Sequence, residues 1–260
     1  MKKIHYIILL VLSCICLIIA YPLYKYYSAP QLRQTYLFQE HPDNDTINIA
    51  FIGDSWAFRH KNHSCKIGDY IESVIHKPVR VYSYGINGLT SKEIYERMYD
   101  DDDFIHFMQQ KQFDYCYLSA GINDTYKKMS TSYYQKSIDN IIQLLFKNHI
   151  HPIIQEIPDY DIHKAYDRQK YHKKILRQIS SFINGCPLDC KDMYRNALNS
   201  LIFKNNYNNR VSILRYQTWN NNSIQDQQKL YLTDGMHLNE YGYIMLDRAI
   251  ANEIIKLILK

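Results

Sequence analysis

Ser55 and His237 are the two side chains of this sequence best suited to nucleophilic catalysis, and Asp234, three residues before the histidine, offers the group that would orient it. A serine hydroxyl is a weak nucleophile until a base within hydrogen-bond reach takes its proton, and neutral histidine is the usual base at about pH 7. A carboxylate at position 234 can hold Nδ1–H and leave Nε2 facing the serine. Attack of such a serine on an ester carbonyl creates an oxyanion that needs hydrogen-bond donors aimed at it. The backbone N–H groups of Ser55 and Gly85 and the side-chain amide of Asn123 suit that task. Glycine lets its N–H approach a substrate with no Cβ in the way, and the Asn side chain offers an uncharged donor.

These residues need elements to bring them together. Short apolar runs at 47–52, 79–84, 115–119, 152–157 and 211–216 are rich in β-branched and aromatic residues and end in Gly, Pro or Asn/Asp turns. Between them, 65–76, 91–98, 132–148 and 171–183 carry apolar residues at helical spacing, and 239–259 makes a last helix. The alternation predicts an α/β chain, a three-layer α/β/α sandwich with a central parallel, flavodoxin-like sheet. In such sheets ligands collect at the carboxyl ends of the strands. Gly53-Asp54-Ser55-Trp56, Gly85-Ile86-Asn87-Gly88 and Gly121-Ile122-Asn123-Asp124 follow the first three strands, and Asp234-Gly235-Met236-His237 precedes the last helix. Ser55 on a tight strand-to-helix turn would follow the logic of a nucleophile elbow, although Gly-x-Ser-x-Gly is absent.

These four blocks, in this order, resemble the SGNH or GDSL hydrolase family over 47 to about 246. The resemblance implies that Ser55 is the nucleophile, that Ser55, Gly85 and Asn123 form the oxyanion hole, and that Asp234 and His237 complete the triad. The run Tyr231 to Asn239 followed by Tyr241-Gly242-Tyr243 is especially like the family's last block. Trp56 stands where many members have Leu and is expected on the pocket wall. The implied reaction is ester hydrolysis through an acyl-Ser55 intermediate, with no cofactor; no histidine pair stands at ligand spacing near the cysteines, so no metal is expected either. The preferred substrate is an acylated glycan outside the cytoplasm, losing short acyl groups such as acetyl. Acyl transfer to a cell-surface polysaccharide, hydrolysis of a lipid or thioester, and a non-catalytic glycan-binding or assembly role on the same fold are the alternatives. A binding descendant should have lost one of Ser55, Asn123, Asp234 or His237, and all four are present.

At 46% hydrophobic and 22% charged residues, the chain can bury one sizeable core, here 47–260. Its 31 basic and 26 acidic residues are dispersed, with none of the basic blocks that track a phosphate backbone, so nucleic acid is a poor candidate partner. Lys2 and Lys3 precede an apolar run from 6 to about 23, close to the ~20 residues a spanning helix needs. Residues 1–24 are read as a signal-anchor, favoured over a cleaved signal, and they put the domain in the periplasm or at the cell surface. The polar stretch 25–46, with Pro30 and Pro42, reads as a linker. In an oxidising compartment Cys186 and Cys190 could close a small loop, while Cys116 reads as a packed hydrophobe. Asp54 is expected to hold the Ser55 turn, with contact to the triad region as the alternative, Asp124 to cap the turn that follows it, the acidic run 100–103 to be a solvated face, and His60, His63, His106 and His163 to be packing or surface residues.

Overall fold

The computed structural model describes residues 2–38, 45–63, 65–220 and 224–260. In chain order the elements are α1 (Lys2–Tyr27), β1 (Ile47–Gly53), α2 (Ser55–His60), α3 (Ile67–Ile75), β2 (Val79–Gly85), α4 (Ser91–Asp100) and α5 (Asp102–Gln109). Then come β3 (Tyr115–Ser119), α6 (Ile122–Lys127), α7 (Thr131–Lys147), β4 (His151–Gln155), α8 (Ile162–Asp167) and α9 (Tyr171–Asn184). The chain finishes with α10 (Lys191–Lys204), β5 (Ser212–Leu214), α11 (Ile224–Leu230) and α12 (Glu240–Ile258).

The five strands form one parallel sheet in the order β2-β1-β3-β4-β5, the flavodoxin-like order. In β1, β3 and β4 every residue after the first is buried, because a central parallel strand is covered on both faces. Edge strand β2 is mostly half-buried. α3 and α12 pack together, and α7 packs between α4 and α10. Crossovers of one hand that leave β1 in opposite directions put such sets on opposite faces of the sheet. The predicted three-layer sandwich is therefore the observed one.

Two predicted strands shift. The fourth is one residue earlier at its start, and the fifth keeps only three residues. Glu156 explains the second: its carboxylate accepts from Arg215 Nη1 at 2.7 Å and from Tyr216 N at 3.2 Å, so the chain leaves the sheet at Arg215. Helix α10 has no counterpart among the predicted elements. It buries Tyr194, Ala197, Leu198, Leu201 and Ile202 together with Lys191 and Arg195, so its buried face is not the clean apolar stripe that betrays a helix.

The predicted anchor is a helix, and its 26 residues would extend about 39 Å. The expectation that it crosses a membrane gains no support: among the described residues no helix is long and apolar enough to do so. The side chains of 7–10 and 14–17, which carry much of the apolar run, lie outside the described residues. Within the predicted linker, 39–44 lie outside them too, while 28–38 hold to the domain. Arg33 N donates to Tyr95 Oη at 2.8 Å, its guanidinium forks onto Asp100, and Phe38 N donates to Asn148 Oδ1 at 2.6 Å. Cys116 is buried in β3, and Cys186 and Cys190 are free, buried thiols with no disulfide between them.

Candidate active site

The register levels the strand ends. Gly53 of β1 pairs with Gly85 of β2 on one side and Ser119 of β3 on the other, so the turns that follow all three emerge at one edge of the sheet. The strand order reverses between β1 and β3, which is where such sheets open a crevice. Gly53, at φ +150°, has no room for a side chain, since a Cβ would lie 2.0 Å from the Ser119 carbonyl oxygen. The chain then turns at Asp54, and Ser55 opens α2.

Asp54 does more than hold that turn. Its Oδ1 accepts from Trp56 N at 3.0 Å and from Ser119 Oγ at 3.4 Å, and its Oδ2 accepts from Asn123 Nδ2 at 3.1 Å. One carboxylate thus ties the serine turn to the third block and fixes the Asn123 amide, whose second N–H remains available to an oxyanion. At Gly85 the structure shows a packing reason for glycine. A Cβ there would lie 2.4 Å from Phe58 N and 2.6 Å from the Asp54 carbonyl oxygen, so only glycine lets β2 lie against the first turn of α2.

His237 arrives on a tight loop pinned by an isolated bridge between Tyr231 and Leu238. Gly235 takes the left-handed φ of +75° that turns it. Asp234 Oδ1 accepts from Met236 N and His237 N, both at 2.9 Å, and Oδ2 meets His237 Nδ1 at 2.7 Å. His237 Nε2 lies 3.0 Å from Ser55 Oγ. An ionised carboxylate only accepts, so the ring proton sits on Nδ1 and Nε2 is left to accept from the serine. Burial raises the Asp234 pKa, but the His237 and Met236 N–H groups and the His237 ring outweigh it and hold it below the usual carboxylate value. Asp234 therefore stays charged at neutral pH.

Trp56 is not on a pocket wall. It is fully buried, edge-on to Trp219 at 5.8 Å, and its Nε1 donates to the Met236 carbonyl at 3.2 Å. The residue beside Ser55 thus clamps the histidine loop. Tyr243, on α12, donates from its hydroxyl to the Trp56 carbonyl at 3.1 Å.

His60, expected as a packing or surface residue, is a packing residue with two side-chain hydrogen bonds. It is buried at the end of α2, with Nδ1 2.9 Å from Ser83 Oγ and Nε2 2.7 Å from Asp247 Oδ1, while Asp247 Oδ2 accepts from Lys66 N at 2.7 Å. With Cys65 these groups bring a nitrogen, a sulfur and a carboxylate oxygen within 4.8 Å of one another. The direct His60–Asp247 hydrogen bond satisfies both partners and ties α2 to α12. No short-range sequence signal links positions 60 and 247. Asp124 also differs from its expected part: it accepts from Ser91 N at 2.8 Å and Ser91 Oγ at 2.5 Å, holding the first turn of α4, whose own cap is Thr90, and not the turn that follows it in sequence. In the acidic run, Asp101 caps α5 through Phe104 N and pairs with Arg97, and Asp100 pairs with Arg33.

Two outcomes follow from Asp54. Loss of the Asn123 amide should lower kcat by about 10²- to 10³-fold with little change in KM, the size of one oxyanion donor; steady-state kinetics of Asn123→Ala measure it. Burial also pushes the Asp54 carboxyl up to about 7, against the opposing pull of its hydrogen bonds. A carboxyl raised on folding stabilises the protein fully below its unfolded pKa, and that stability is lost as pH climbs through the folded one. The stability of wild type relative to Asp54→Asn should therefore fall between about pH 4 and about pH 7. Urea unfolding across that range tests it, and parallel curves would contradict it.

No model of a known protein family matches the sequence, and no curated protein matches it. Solved structures do. A lipase/acylhydrolase from Enterococcus faecalis is 15% identical, with a TM-score of 0.53 over 81% of this chain and 96% of its own. A GDSL-like lipase from Bacteroides thetaiotaomicron is 16% identical, with a TM-score of 0.52 over 80% of this chain and 87% of its own. The acetyl xylan esterase AlAXEase is 19% identical, with a TM-score of 0.54 over 81% of this chain and 99% of its own. At such identities the likeness is one of architecture, and it gives this chain the fold of the GDSL-type, or SGNH, hydrolases.

Proposed function

We propose that the protein is a serine ester hydrolase. Ser55 Oγ attacks the ester carbonyl as its proton passes to His237 Nε2, and the oxyanion is met by the Ser55 N–H, Gly85 N–H and Asn123 Nδ2. The intermediate collapses to acyl-Ser55 as His237 returns the proton to the departing alkoxide. Water, deprotonated by the same Nε2, then releases the carboxylate and restores the serine. Asp234 stays ionised throughout and stabilises the imidazolium. The observation that carries this reading is the continuous chain from Ser55 Oγ to His237 Nε2 at 3.0 Å and from Nδ1 to Asp234 at 2.7 Å.

The substrate we favour is a short acyl ester, acetyl above all, on a glycan outside the cytoplasm, with the domain held to the membrane by the apolar run of α1. Supporting it are Lys2 and Lys3 ahead of that run and the shared fold with an acetyl xylan esterase. The test is hydrolysis of p-nitrophenyl acetate, butyrate and octanoate and of acetylated xylan by the full chain. Turnover that falls as the acyl chain lengthens, with acetate released from the xylan, is the expected result. Preference for octanoate with no release from xylan would move the substrate to long-chain esters.

A further inference from the structure

Helix α9 is amphipathic the wrong way round for a helix on a water-facing surface. Its polar side packs on the domain: Ser180 is buried, Arg177 sits over the Tyr126 ring at 3.2 Å, and Asn184 Nδ2 donates to the Lys128 carbonyl at 2.7 Å. On the other side Tyr171, Ile175, Ile179 and Phe182 follow one another at helical spacing, flanked by Leu176 and Ile183, all exposed. Phe182 is 90% and Tyr171 79% exposed. A contiguous apolar stripe of this kind marks an interaction surface.

Charge identifies the partner. The helix contains no acidic residue, and Arg168, Lys170 and Lys173 stand exposed at its entry. Asp167, just before them, lies 4.0 Å from Lys174 Nζ. An apolar face edged by cations fits the headgroup boundary of an anionic bilayer. Position agrees. The Tyr27 hydroxyl of α1 hydrogen-bonds Ser180 Oγ of α9, and Lys92 Nζ of α4 donates to the Lys25 carbonyl at 2.6 Å and the Ser28 carbonyl at 2.9 Å. The end of α1 is therefore seated on α4 and α9. Before α9 in the chain, Asp161 N, just ahead of α8, donates to the Gly235 carbonyl at 2.8 Å, which sets α8 against the histidine loop.

We propose that α9 is an interfacial helix that lies in the surface of an anionic lipid bilayer and holds the Ser55 site at that surface. The proposal rests on the reading of α1 as the anchor for its orientation, and its test separates the two. The full chain is reconstituted in phosphatidylcholine vesicles containing phosphatidylglycerol, with and without dibrominated acyl chains, as Phe182→Trp and, for reference, as Val74→Trp on α3. Native Trp56 and Trp219 are buried and give a constant background. An interfacial helix lies ~5–10 Å into the headgroup and acyl boundary, so bromine should quench Phe182→Trp about twofold and leave Val74→Trp unchanged. A chain that floats with the vesicles while Phe182→Trp stays unquenched overturns the proposal and leaves the anchor standing. Failure to float overturns both. Emission of Phe182→Trp that shifts to the blue with protein concentration, in the absence of lipid, would show a second copy covering the stripe and would also overturn it.

Discussion

Ser55→Ala is expected to lower kcat for ester hydrolysis by about 10⁶-fold, and His237→Ala by about as much, with the double variant no worse than either. The reason is that the two act as one unit. His237 Nε2 has Ser55 Oγ as its partner at 3.0 Å, so removal of either ends proton transfer from the nucleophile, and no second loss remains. Residual activity would reflect binding and the oxyanion donors alone. Neither side chain holds the fold: Ser55 lies at the edge of the sheet, and the loop bearing His237 is kept by the Tyr231–Leu238 bridge, Asp234 and Trp56. Circular dichroism and urea unfolding should therefore match wild type while kcat collapses.

Asp234→Asn should cost about 10⁴-fold in kcat, the loss seen when a triad histidine is held in the wrong tautomer. This structure shows why the amide would force it. Oδ1 of residue 234 is fixed by two backbone donors, Met236 N and His237 N, so an Asn must place its carbonyl there and turn its NH₂ toward His237 Nδ1. Nδ1 would then accept, the ring proton would move to Nε2, and Nε2 could no longer take the serine proton. The hydrogen bonds of the loop are otherwise kept, so stability should change little. Kinetics beside ring-proton NMR of His237 measure both halves, and a proton still on Nδ1 in an inactive variant would contradict the account.

Much of this was legible because parallel α/β sheets write their sites at strand ends. The buried runs of β1 and β3 mark themselves as strands, and the turns after them carry Ser55 and Asn123 where the register of Gly53, Gly85 and Ser119 brings them level. The Asp234–His237 pair was legible for a local reason, since three residues of tight loop close it. What escaped depends on contacts distant in sequence. The two oxygens of Asp54 serve Trp56, Ser119 and Asn123, the last two on other elements, so a turn residue also orients the proposed oxyanion donor. Trp56 looked like pocket lining because it neighbours the nucleophile, yet the helical turn points it inward to Met236. His60 finds Asp247 only when α2 and α12 are side by side. In α9 the period was plain, but periodicity does not say which face meets the domain, and here it is the polar one.

The most direct test of the central claim is the intact mass of the protein after reaction with a fluorophosphonate ester, followed by peptide mapping. Phosphonylation displaces fluoride and forms one bond to an activated serine oxygen. The expected result is a single adduct on Ser55 in wild type, slowed by orders of magnitude in Asp234→Asn and absent from Ser55→Ala and His237→Ala. A folded wild type that stays unlabelled, or an adduct on another residue that persists in Ser55→Ala, would contradict it.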